Sequence, residues 1–159
     1  MPEEINTDWG RSVAGVVIRD GKVLLVRHTY GAGTGRLIIP GGYIKYGESP
    51  QDAVVREVLE ETGVTVRPEK IAGIRFNAKD WYAVFTAEYL SGEAHSDNDE
   101  NSEAVWIDVP EALERNDVPE LTKTILKSVL AAEKGGKLYG NIPYNSSENH
   151  GEYSFYGLD

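Results

Sequence analysis

Residues 37–66, LIIPGGYIKYGESPQDAVVREVLEETGVTV, constrain the fold of this chain more than any other stretch. Leu37 to Pro40 read as a short buried strand that runs straight into the pair Gly41-Gly42. A helix with marked ends follows. Ser49 is a good N-cap, Pro50 suits the first helical position, and Asp52 completes an S-x-x-[DE] start signal. Val54, Val55, Val58 and Leu59 supply an apolar stripe at helical spacing, and Gly63 stands where a left-handed terminal residue is wanted.

Glu57, Glu60 and Glu61 crowd the end of that helix, at spacings that let all three point to one side. Like charges there repel by a few tenths of about a kcal/mol per pair when exposed, and by more when desolvated. A bound divalent cation would reverse the sign of that interaction. Oxygen donors without a neighbouring His or Cys favour Mg²⁺ or Mn²⁺ over zinc. Glutamates of this kind on their own would more often be a solvated acidic face. Here a glycine pair, an acid in the loop (Glu48), Arg56 and a terminal glycine accompany them.

Together these residues spell G-x5-E-x7-R-E-U-x-E-E-x-G-U, with U a bulky aliphatic residue: Gly42, Glu48, Arg56, Glu57, Val58, Glu60, Glu61, Gly63 and Val64. In this the chain resembles the Nudix hydrolases, whose signature is that pattern. The resemblance implies that Glu57, Glu60 and Glu61 ligate the metals, with the carbonyl of Gly41 as an extra ligand. It implies that Arg56 holds the glutamates in place and that Glu48 either anchors Arg56 or stands behind the metal ligands. The reaction it implies is metal-dependent hydrolysis of a diphosphate linkage in a nucleoside diphosphate joined to another group. The catalytic set is then Arg56, Glu60, Glu61 and a base, which is Glu60, Glu61 or a glutamate from a later loop. Glu103, leading directly into the strand at Trp106, is the first candidate there and Glu100 the second. The alternative is a nucleotide-sensing domain that keeps the fold without turnover.

The rest of the chain is read from its patterning. Val13–Ile18 and Val23–Val26 flank Asp20-Gly21, the signature of a tight hairpin. Residues 64–66 and 70–76 read as two strands, 77–80 as a turn, 81–90 as a long strand and 104–109 as a last strand. Residues 91–103 form a polar, acidic loop, and an amphipathic helix places Leu121, Ile125, Val129 and Leu130 inward before Gly135-Gly136. The expected architecture is α/β: a mixed β-sheet with helices on both faces, an α/β/α sandwich. The length of 159 residues suits one domain, with a core of about residues 10–136 and an aromatic-rich tail from 137 to 159. Tyr139, Tyr144, Tyr153, Phe155 and Tyr156 suggest that this tail packs on its own subunit or on a neighbour.

Charge and composition narrow the partners. A net charge of −10 argues against stable binding to a nucleic-acid backbone or an anionic membrane, while metal ions would let an acidic site take a polyphosphate. The apolar segments fall far short of the roughly 20 residues that cross a bilayer, and the first residues carry acids where a signal peptide has bases. Without cysteine there is no disulfide and no thiol chemistry, and the economical location is the cytoplasm. Arg27, His28, Arg36 and Arg75 are candidates for phosphate contacts. Tyr30, Tyr43, Tyr46, Phe76, Trp81 and Tyr82 are candidates for stacking on a base, with Trp81 and Tyr82 preferred. The resemblance leaves the substrate open among nucleoside triphosphates, sugar nucleotides, ADP-ribose and dinucleoside polyphosphates, and homodimers are common in the family.

Overall fold

The computed structural model describes residues 10–135, 138–139 and 154–158. The hairpin forms as its turn chemistry dictates. β1 (Gly10–Arg19) and β2 (Lys22–His28) are joined by Asp20 and Gly21, both at positive φ (51° and 74°), which is the two-residue turn that matches strand twist. β3 (Leu37–Ile38) pairs with β2, and β4 (Gly41–Tyr43) pairs with β1, so the glycine pair opens a short strand of its own. α1 (Pro50–Thr62) starts on the Ser49 hydroxyl, which accepts the Asp52 N–H at 3.1 Å, and stops at left-handed Gly63.

β5 (Thr65–Phe76) is one strand where two were expected. Its two halves share one ladder with β6 (Asp80–Ser91), interrupted by register shifts around Pro68 and Ile71. β7 (Asn101–Asp108) starts earlier than the apolar run suggested and pairs antiparallel with β2. The short helix α2 (Val109–Glu114) has no counterpart in the sequence reading, and α3 (Glu120–Glu133) follows it. In the tail, β8 (Leu138–Tyr139) pairs with β9 (Ser154–Leu158), and β9 pairs with β5. Those backbone segments thus extend the chain's own sheet. Tyr144 and Tyr153 lie outside the described residues.

β1 organises the sheet. It runs parallel to β6 along one edge, and on the other edge it pairs with β4 near one end and β2 near the other. Its side chains alternate strictly. Val13 and Val17 join Leu24, Val54, Val58, Val64 and Phe85 beneath α1, while Ala14 and Val16 join Leu25, Leu37, Ile125, Leu126 and Val129 beneath α2 and α3. A Cβ on Gly15 would stand 2.9 Å from Val54, so glycine lets α1 lie close on β1. This is the mixed sheet with helices on both faces.

Candidate active site

α1 seats its carboxylates unequally. Its buried positions are Ala53, Val54, Glu57, Val58, Glu61 and Thr62, so Glu57 and Glu61 fall on the sheet-facing stripe. Leu59, expected on that stripe, is exposed. Glu60 points outward with a side chain 54% exposed and accepts from Arg56 at 3.2 Å. Glu60 is thus the outer member of the three, and the same Arg56 Nη1 bonds both Glu57 and Glu60. An arc of 100° per residue separates Glu60 from Glu61, and the sheet takes only the latter.

The third carboxylate at the site is Glu100. Oxygen atoms of Glu57, Glu61 and Glu100 lie within 4.8 Å of one another, and this is the cluster among the described residues whose acids could share a cation. Glu61 is the most deeply set, with a side chain 2% exposed and its Oε2 buried without a hydrogen-bond partner among the described residues. Burial pushes its carboxyl up to about 9, helped by the charges of Glu57 and Glu100 and opposed by a backbone hydrogen bond from Gly41. Burial and the charges of Glu57 and Asp97 also raise Glu100. His28 reaches the cluster from β2, with Nε2 4.0 Å from Glu61 Oε1. Burial lowers the His28 pKa, so the ring is neutral near pH 7.

Arg56 braces the acids. Its Nε and Nη2 hold the two oxygens of Glu48 at 2.7 and 2.9 Å, and its Nη1 donates to Glu57 at 2.7 Å. Nη2 also donates to the Tyr43 carbonyl at 3.1 Å, so one guanidinium joins α1, the preceding loop and β4. Beside Arg56 the Glu48 carboxyl falls to about 2. The glycines complete the cradle. A Cβ on Gly42 would lie 2.6 Å from the Glu57 carboxylate, and one on Gly41 would collide with the backbone of Val13 and Ala14.

Other residues singled out in the sequence are engaged elsewhere. Glu103 stands directly opposite Arg27 on adjacent strands and accepts from its Nε at 2.9 Å. Arg27 also bonds Asp117 and the Gly35 carbonyl, which ties β2 to the segment before α3 and engages each of its three nitrogens. Arg36 donates to the Asn116 carbonyl. Tyr82 packs on the α3 side of the core with Arg75 over its ring, and Arg75 is ion-paired with Asp80. Trp81 is half-exposed, edge-on to Phe76. Cross-strand pairing explains Arg27 and Glu103, and strand alternation explains Tyr82.

Comparisons with known proteins identify the family. The family model described as NUDIX domain matches residues 9–128. A MutT-like protein of Streptomyces ambofaciens is 35% identical over 106 residues, covering 65% of this chain and 67% of that protein. An ADP-ribose pyrophosphatase of Methanocaldococcus jannaschii is 28% identical over 134 residues, covering 78% and 75%. Among solved structures, a NUDIX hydrolase from Nitrosomonas europaea superposes with a TM-score of 0.68 at 26% identity, covering 78% of this chain and 90% of that one. With the complete acid-and-glycine motif in place and the family model spanning sheet and helices alike, the chain belongs to the Nudix family of pyrophosphohydrolases.

Proposed function

We propose that the protein hydrolyses the diphosphate linkage of a nucleoside diphosphate derivative with the help of Mg²⁺ or Mn²⁺ held by Glu57, Glu61 and Glu100. The observation that carries this reading is the unpartnered, buried Oε2 of Glu61 within a three-carboxylate cluster. A carboxylate so placed is destabilising unless a cation meets it. The donor set consists of oxygen, which fits a hard divalent ion, and Gly42 leaves the Glu57 carboxylate room. The Gly41 carbonyl remains a candidate further ligand at the same corner.

A divalent cation there supplies charge neutralisation for phosphate oxygens and acidifies water. The chain's own residues do the rest. Arg56 fixes Glu57 and Glu48, so the carboxylates need no reorganisation when substrate arrives. Glu100, the exposed member of the three, is the one open to a water molecule, and we assign it the proton acceptor's role beside its share in the cluster. The water oxygen attacks one phosphorus, its proton passes to Glu100, and the bridging P–O bond breaks to give two phosphate-bearing products. Glu60 steadies Arg56 from outside. The name of the archaeal relative puts ADP-ribose among the first compounds to try.

The test is release of phosphate products from a panel of nucleoside diphosphate derivatives with Mg²⁺, wild type beside Glu61→Gln. The expected result is turnover of at least one compound, reduced by at least about a hundredfold in the variant. Equal turnover in the two proteins would refute the site.

A further inference from the structure

After β6 the chain turns back over the C-terminal end of α1, where the helix carbonyls lack helical partners. The loop of residues 92–100 and the start of β7 supply those partners. The His95 N–H donates to the Thr62 carbonyl at 2.9 Å, and the Asn101 side-chain Nδ2 donates to the Glu61 carbonyl at 2.8 Å. The loop is itself ordered by short polar contacts. Asp97 accepts the N–H groups of Asp99 and Asn101, the Ser96 hydroxyl donates to the Asn101 carbonyl, and the Thr29 N–H and hydroxyl hold the Glu100 carbonyl.

Asn101 stands out within this set. It is fully buried, and its Oδ1 has no hydrogen-bond partner among the described residues. A half-satisfied amide in that place is a poorer packing residue than an aliphatic one. What the amide does provide is a donor to the backbone of Glu61 from the residue adjacent to Glu100. The bond ties the residue after Glu100 to the backbone of Glu61.

We propose that Asn101 is a positioning residue, whose amide holds Glu100 against Glu57 and Glu61 by clamping the acidic loop to the last turn of α1. The inference rests on the part assigned to Glu100 above. Without the clamp the loop keeps its internal turns but loses its side-chain anchor on the helix, and Glu100 leaves the cluster part of the time.

The experiment is a double-mutant cycle on the full chain with Asn101→Ala, Glu100→Gln and the pair. It reads Mn²⁺ affinity by electron paramagnetic resonance, without substrate, and kcat at saturating metal. Each single variant is expected to weaken Mn²⁺ binding by about tenfold. In the Glu100→Gln background, removing Asn101 is expected to add less than about twofold, because the residue it positions is already gone. Asn101→Leu fills the volume without a donor and is read in the same way if Asn101→Ala does not fold. A lowered melting temperature with unchanged Mn²⁺ affinity and kcat would make Asn101 structural and overturn the inference. Full additivity in the cycle would overturn it too. Wild-type behaviour of Glu100→Gln would instead remove the assignment of Glu100 on which the inference rests.

Discussion

Glu61→Gln offers a quantitative test of the buried cluster in the absence of metal. In the folded chain the Glu61 carboxyl titrates near 9, whereas an unfolded glutamate titrates near its ordinary value of 4.5. Between those two pH values the native state keeps a proton that the unfolded state has released. The unfolded chain is then favoured progressively, and native stability falls as pH rises, by at most about 1.4 kcal/mol per pH unit. From pH 5 to pH 8 the ceiling is about 4 kcal/mol, and relaxation around the charge brings the expected difference to about 1–4 kcal/mol. The glutamine variant lacks this titration. Urea unfolding in EDTA at pH 5, 6.5 and 8 measures both proteins, with the slope m checked for constancy. The wild type should lose ground to the variant steadily across that range. Saturating Mg²⁺ should remove the loss, because the ion binds the ionised carboxylate. Parallel curves for the two proteins without metal would refute the argument that Glu61 is a buried, charge-crowded acid.

Three further outcomes are expected. Arg56→Ala leaves Glu48 and Glu57 without their guanidinium and should lower stability by about 2–4 kcal/mol by urea unfolding, with kcat reduced by at least about a hundredfold. Gly42→Ala should displace the Glu57 carboxylate and weaken Mn²⁺ binding by more than about tenfold, read by the same resonance titration as above. Glu103→Gln breaks a half-exposed pair with Arg27 and should cost less than about 1 kcal/mol by urea unfolding. Its turnover should stay within about threefold of wild type, while Glu100→Gln loses at least about a hundredfold.

What was legible in the sequence was whatever local chemistry specifies. The Asp20-Gly21 turn and the Ser49-to-Gly63 helix follow from caps, positive φ and period, and both form where the residues indicate. The motif placed Arg56 beside Glu48 and the glutamates, and the guanidinium does bridge them. Which glutamates turn inward was not legible, because Glu60 and Glu61 are adjacent on the helix and only the position of the sheet separates them. Where Glu103 and Glu100 fall relative to the cluster was not legible for a similar reason. Strand pairing sets Glu103 against Arg27, whereas Glu100 sits just before β7, where the partner register shifts between Arg27 and His28. The run Ser96-Asp97-Asn98-Asp99 was read only as part of a polar, acidic loop, and the structure shows its side chains bonding their own backbone, a turn chemistry that such residues favour. The strands of the tail depend on β5 as a template, a contact between distant parts of the chain that no local pattern encodes.

The central claim is that Glu57, Glu61 and Glu100 hold a divalent ion, and anomalous diffraction from crystals grown with Mn²⁺ tests it most directly. The account predicts a manganese peak about 2.1 Å from carboxylate oxygens of these three residues. A peak elsewhere, or ordered crystals in millimolar Mn²⁺ with no peak at this cluster, would contradict it.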